Sequence, residues 1–202
     1  MKHILLLETS TKFLLEQRDI LMKRVGQENQ LPFLNSREQL LWVDGMMDEQ
    51  LYQKIVNYIM RDHTHMTNEM FQELVEYKMN NDQAYQGFMM RDYELNEEFL
   101  QDFDDFLLSY QQPPMHMLLM MSNKQDEFDY LLEREKIISF SALNLGMTTE
   151  EGIEKVIDQK RYNVRPFERY YQKHQRFQEI NISGKSIDAI YQEIGQVINS
   201  IS

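Results

Sequence analysis

Four groups of residues have types and spacings from which chemistry could be built. Glu8-Thr-Ser-Thr-Lys12 follows an apolar run and precedes a segment of helical periodicity, where a phosphate-binding loop would sit. Lys12 is placed to reach the outer phosphate oxygens of a nucleotide, with Thr11 beside it. Such loops need glycines, because only a bare backbone lets successive N–H groups converge on phosphate. Here Leu6 and Thr11 occupy the two glycine positions, and Phe13 replaces the hydroxyl that would hold Mg²⁺. A Ser/Thr-capped helix start explains the same residues without a ligand. His63-Thr-His65 would share a face in a strand and diverge in a helix. No third ligand stands close in sequence beyond Asp62 and Glu69, so histidines at a helix C-terminus fit better than a metal site.

Asp102-Phe-Asp-Asp105 places carboxylates among aromatic residues. A two-metal site needs carboxylates converging from different elements, so this run reads as a solvated helix face. The fourth group is cationic: Lys160, Arg161, Arg165, Arg169, Lys173 and Arg176 concentrate positive charge in an otherwise acidic chain. Arg161, Arg165 and Arg169 are spaced four apart, and guanidinium groups match phosphate oxygens in a planar, bidentate way. Pairing with Glu154, Asp158 and Glu168 is the competing reading. Tyr162, Tyr170 and Tyr171 nearby could stack on a ligand or pack.

The elements that must position these residues alternate. Apolar runs at His3–Glu8, Leu40–Asp44, Met115–Met121 and Phe177–Ile182 predict strands, each followed by a helical stripe. Continuous apolar runs fit strands buried on both faces, as in a parallel sheet. Stripes run through Phe13–Met22, Met47–Ile59, Met70–Lys78, Leu95–Tyr110, Phe128–Glu135 and Ile187–Ile201. Pro113-Pro114 is expected to end the fourth of these. Thr148-Thr-Glu-Glu151 is a capping box opening a helix through Ile157, with a restart expected at Pro166. Ser36-Arg-Glu-Gln39 is also a capping box, so residues 36–62 read equally as one helix or as strand plus helix. Asn80–Gln86 is the expected break. The fold class is therefore α/β, helix-rich, with a small parallel sheet flanked by helices, in a single domain over residues 1–202; a mostly α fold is the alternative.

Composition bounds the partners. Seven Gly and four Pro leave few turn-formers for an all-β architecture, and 42% hydrophobic residues suffice for a core. A net charge of −12 disfavours nucleic acid and anionic membrane surfaces, both of which demand basic faces. The absence of cysteine excludes disulfides, thiolate catalysis and thiolate metal sites. The apolar run Ile4–Leu7 is too short for a signal peptide, and the expected location is the cytoplasm. A homodimer or another protein partner remains open.

Pro113-Pro114-Met-His-Met-Leu-Leu-Met-Met121, followed by Phe128-Asp-Tyr-Leu-Leu-Glu-Arg-Glu-Lys136, resembles the deoxynucleoside kinase group. Arg165-Pro-Phe-Glu-Arg-Tyr-Tyr171 and the strand and helix over Phe177–Gln192 resemble that group's C-terminal pattern and that of nucleoside-monophosphate kinases. The resemblance covers mainly Pro113 to Ile201. It implies a P-loop kinase type of sheet, with ATP and Mg²⁺ as the cofactors of any surviving activity. It also implies that Asp44, in Asp44-Gly45-Met46, retains the carboxylate that accepts the substrate hydroxyl proton, while the neighbouring arginine is lost. The lid's arginines reduce to Arg134 and Lys136. Phosphoryl transfer depends on positioning and charge neutralisation, so this chain is expected to have weakened or lost it. Nucleotide binding or a regulatory role then remains. The alternative is a helical interaction protein without a small-molecule site.

Overall fold

The computed structural model describes residues 1–9, 15–34, 48–59, 67–90, 97–135 and 149–201. Five strands are ordered β2-β3-β1-β4-β5: β1 (Lys2–Glu8), β2 (Phe33–Leu34), β3 (Gly87–Met90), β4 (His116–Met121) and β5 (Phe177–Asn181). Helices α1 (Leu15–Glu28), α2 (Glu49–Ile59), α3 (Asn68–Asn81), α4 (Glu97–Ser109), α5 (Lys124–Glu135), α6 (Thr149–Lys173) and α7 (Ile187–Ser200) complete the described elements. This is the expected α/β class, a small parallel sheet flanked by helices. Three predicted strands are observed as β1, β4 and β5. The predicted strand Leu40–Asp44 lies outside the described residues, and β2 and β3 were not expected. Among the described residues no helix is long and apolar enough to cross a membrane.

The chain packs as two compact units. The first comprises Met1–Leu5 and Gly26–His116. Here β3 pairs in parallel with β1, Lys2 opposite Gly87 and Leu5 opposite Met90, and with the short β2. Gly87 has φ +113°, and a side chain there would place Cβ 1.8 Å from the Lys2 carbonyl oxygen, so only glycine fits this register. An aromatic cluster fills the core: Phe71 stacks on Phe103 at 5.3 Å and meets Phe88 edge-on at 5.6 Å. Asp104, expected on a solvated face, is buried instead. Its carboxylate accepts the Met115 N–H at 2.9 Å, which satisfies a donor at the entry to β4.

The second unit comprises Leu6–Val25 and Met117–Ser202. Here β4 pairs in parallel with β5, from Met117–Phe177 to Met121–Asn181. Met117–Met120 are all buried, as a continuous apolar run requires. The α6 helix runs unbroken through Pro166, against the expected restart. Proline removes the bond to the carbonyl four residues earlier. That carbonyl belongs to Tyr162, which is 65% exposed, so water can replace the lost donor.

Three helix-to-strand turns share one solution. Gln30, Gln111 and Gln175 adopt φ of 56–57°, a left-handed conformation usually given to glycine. In each turn the next N–H reaches back to the final helical turn: Leu31 to Gly26, Gln112 to Leu107 and Arg176 to Tyr171, at 2.8–2.9 Å. Thus α4 ends at Ser109 through the Gln111 turn, ahead of the prolines expected to stop it.

His3 is fully buried at the amino end of β1. Its Nδ1–H donates to the Pro113 carbonyl at 2.8 Å, so Nε2 accepts the Tyr85 hydroxyl at 2.9 Å. Burial lowers its pKa from 6.5 to about 4, outweighing the carbonyl bond that raises it.

Two outcomes are expected. The unfolded chain protonates His3 below pH 6.5 while the native protein resists until about pH 4, so stability must fall as pH drops through that window. The loss is on the order of 2–3 kcal/mol. Denaturant titrations at pH 7, 5.5 and 4.5 should show a shallower decline for His3→Asn; equal slopes contradict this account. Leu118→Asp buries an unpaired charge at a fully buried site and should abolish cooperative unfolding. A soluble, cooperatively folding variant contradicts the buried β4.

Candidate functional site

The strand order places the site. From β1 the chain crosses to β2 on one side of the sheet, and from β4 it crosses to β5 on the other. Adjacent strands whose connections leave in opposite directions open a crevice at their carboxyl ends, the usual ligand position in open α/β sheets. The residues there belong to the second unit. The Thr9 N–H donates to the Met120 carbonyl at 3.1 Å, which fixes the end of β1 beside β4. Ser122 lies two residues further along, roughly 7 Å at strand rise.

Arg161 reaches this edge from α6. Its Nη2 donates to the Ser122 carbonyl at 2.6 Å. Its Nε is buried and has no hydrogen-bond partner among the described residues. The Thr9 hydroxyl is likewise buried, at 0% exposure, and without a partner. Buried donors and hydroxyls are nearly always satisfied, and these two are without a partner among the described residues, Thr9 directly after β1 and Arg161 bonded to Ser122 directly after β4. Guanidinium carries five N–H donors; one is on Ser122, and the Nε–H is buried with its bonding capacity unspent among the described residues.

The loop that carries Ser122 is held firmly. Ser183, after β5, accepts the Asn123 N–H at 2.7 Å and lies 3.4 Å from the Ser122 hydroxyl. Asn123 caps α5 by accepting the Asp126 N–H at 2.8 Å. Beside this loop, Lys124, Gln125 and Phe128 of α5 and Glu154, Ile157 and Asp158 of α6 line a cleft of ≈ 320 Å³. Lys124 forms an ion pair with Asp158 across it. The Lys124 hydrogen bond, then Arg161 and Arg165, hold the Asp158 carboxyl below its usual range.

The site residues expected from sequence are placed unevenly. Thr11, Lys12 and Asp44 lie outside the described residues, as do His63 and His65. Arg134 falls in the last turn of α5. Arg161 and Arg165 share the α6 helix, Arg161 at the strand edge and Arg165 exposed one turn on. Neither forms an ion pair with a carboxylate among the described residues; Asp158 takes Lys124, and Glu168 takes Gln172. Tyr171 is buried against Tyr170 at 5.1 Å, so it packs. Thr9, Ser122 and Lys124 were not anticipated. Thr9 had one signal, a hydroxyl closing an apolar strand.

A larger groove of ≈ 440 Å³ in the first unit, between α2 and α3, is internally satisfied. There Glu73 holds Lys54 at 2.6 Å, Tyr110 donates to Glu76, and Asp48 caps α2. Among the described residues no group of three or more His, Asp or Glu is placed to hold a metal.

No protein-family model matches the chain, and no curated protein matches it. Among solved structures it is similar to an uncharacterized protein from Eubacterium ventriosum ATCC 27560. The identity is 13%, the TM-score 0.48 and the coverage 99% of both chains.

If the Thr9 hydroxyl is reserved for a ligand, Thr9→Val should stabilise the free protein by about 1 kcal/mol, by removing an unsatisfied buried polar atom. The same change should weaken oxyanion binding. Thermal melts with and without sulfate measure both; a destabilised variant shows instead that the hydroxyl is already bonded.

Proposed function

We propose that this is a diverged nucleoside- or nucleotide-kinase-like protein that binds a phosphate-bearing ligand at the carboxyl edge of β1 and β4, with phosphoryl transfer weakened or lost. The observation that carries this reading is the pair of buried groups, Thr9 Oγ1 and Arg161 Nε, unspent among the described residues near the switch point of the sheet. Arg161 supplies charge and planar donors, and Thr9 supplies a hydroxyl that can donate or accept. The acidic chain repels anions at long range, so a local guanidinium is what makes such a site workable.

Loss of transfer follows from what is missing. The loop glycines are absent from the sequence, which removes the backbone cradle for phosphates. The donor set does not fit Mg²⁺: Phe13 stands at the hydroxyl position, and the described residues supply no ligand cluster. Binding without the means to neutralise transition-state charge yields a sensor or regulator rather than a catalyst.

The test is isothermal titration with ATP, dATP and sulfate, beside a turnover assay. Wild type should bind, Arg161→Glu with Arg165→Glu should lose that binding while still unfolding cooperatively, at a melting temperature lowered by loss of the Ser122 bond, and turnover should stay far below roughly 1 s⁻¹. Turnover at that rate contradicts the loss of chemistry. Unchanged affinity in the double variant removes the site and leaves the helical interaction reading.

A further inference from the structure

The Lys124–Asp158 ion pair spans the cleft between α5 and α6, next in sequence to the loop that carries Ser122. Lys124 opens α5 only two residues after Ser122, whose carbonyl holds Arg161. Asp158 lies three residues before Arg161 and seven before Arg165, which puts all three on one side of α6. Lys124 pairs with Asp158 directly, and Arg161 and Arg165 add positive charge along the same side of the helix, in a chain whose net charge is −12. The side chains of Lys124 and Asp158 are 59% and 58% exposed, so the pair is bathed in water. Exposed pairs are weakly held and exchange partners readily.

We infer that Asp158 is the resident counter-anion of this site, and that an incoming oxyanion displaces it from Lys124. This rests on the reading of Arg161 as a ligand contact. It adds Lys124 as a further ligand-contacting residue. It also gives a specificity rule. Asp158 neutralises Lys124 while Arg161 and Arg165 add charge on the same side of α6, so a dianion gains from the exchange and a monoanion gains little. The ligand class is then a tetrahedral dianion, such as sulfate or a phosphate monoester, ahead of acetate or nitrate. Glu154 lines the same cleft one turn earlier and has no cation bonded to it among the described residues, so it serves as an internal control.

Titration calorimetry with sulfate at low ionic strength tests this on the intact chain. Asp158→Asn should tighten sulfate about twofold to fivefold, the range set by one exposed pair. The gain should vanish near 0.5 M NaCl, where the Debye length is only about 4 Å. Lys124→Met should weaken sulfate by a similar factor, and Glu154→Gln should leave it unchanged. Acetate should bind more weakly than sulfate and gain less from Asp158→Asn. If Asp158→Asn is neutral or weakening, the exchange does not occur. An equal gain from Glu154→Gln also overturns it, since any lost negative charge would then suffice. Arg161→Ala separates the two levels. If it abolishes binding while Asp158→Asn changes nothing, only the exchange falls. If it leaves sulfate binding intact, the site itself falls, and the exchange with it.

Discussion

Parallel pairing forces every strand connection to cross over the sheet, because a strand that ends at one edge must return to the other before it can pair again. The consequence is that β1, β4 and β5 all finish at one edge. The bonds from Thr9 N–H to Met120 and from Ile182 N–H to Met121 carry the pairing to the final residues. Where pairing stops, backbone groups need other partners. Here Arg161 and Ser183 supply them, binding the Ser122 carbonyl and the Asn123 N–H.

The contrast with the amino end of β1 is instructive. There His3 spends both ring nitrogens, on Pro113 and Tyr85, and burial keeps it neutral. That arrangement leaves nothing for a ligand and is a structural lock. At the carboxyl edge the Arg161 Nε and the Thr9 hydroxyl are buried, with bonding capacity left over among the described residues. An unsatisfied buried group costs stability, and such costs persist where a ligand repays them.

Much of the fold was legible because core strands have a simple signature. Ile4–Leu7 and Met117–Met121 are unbroken apolar runs, which suit strands covered on both faces. Strand β3 escaped because only Phe88, Met89 and Met90 mark it, and β2 because two residues carry no periodicity. Pro166 does not break the helix: its effect is local, at the exposed residue Tyr162 one turn earlier. Asp104 departs in the opposite sense, since the Met115 N–H that its carboxylate accepts lies eleven residues away. Arg161 was visible as positive charge in an acidic chain, but its target was not. A contact to Ser122 spans 39 residues and follows from the α6 packing rather than from any spacing. Thr9 lies inside the Glu8–Lys12 segment, where nothing in the sequence separates its hydroxyl from those of Ser10 and Thr11.

Backbone and side-chain amide resonances of ¹⁵N-labelled protein, followed during titration with sulfate and with ATP, address the oxyanion edge most directly. The account predicts saturable shifts sharing one dissociation constant at the amides of Thr9 and Ser122–Lys124 and at the Arg161 Nε–H. Saturable shifts confined to other residues, or none at millimolar ligand, would contradict it.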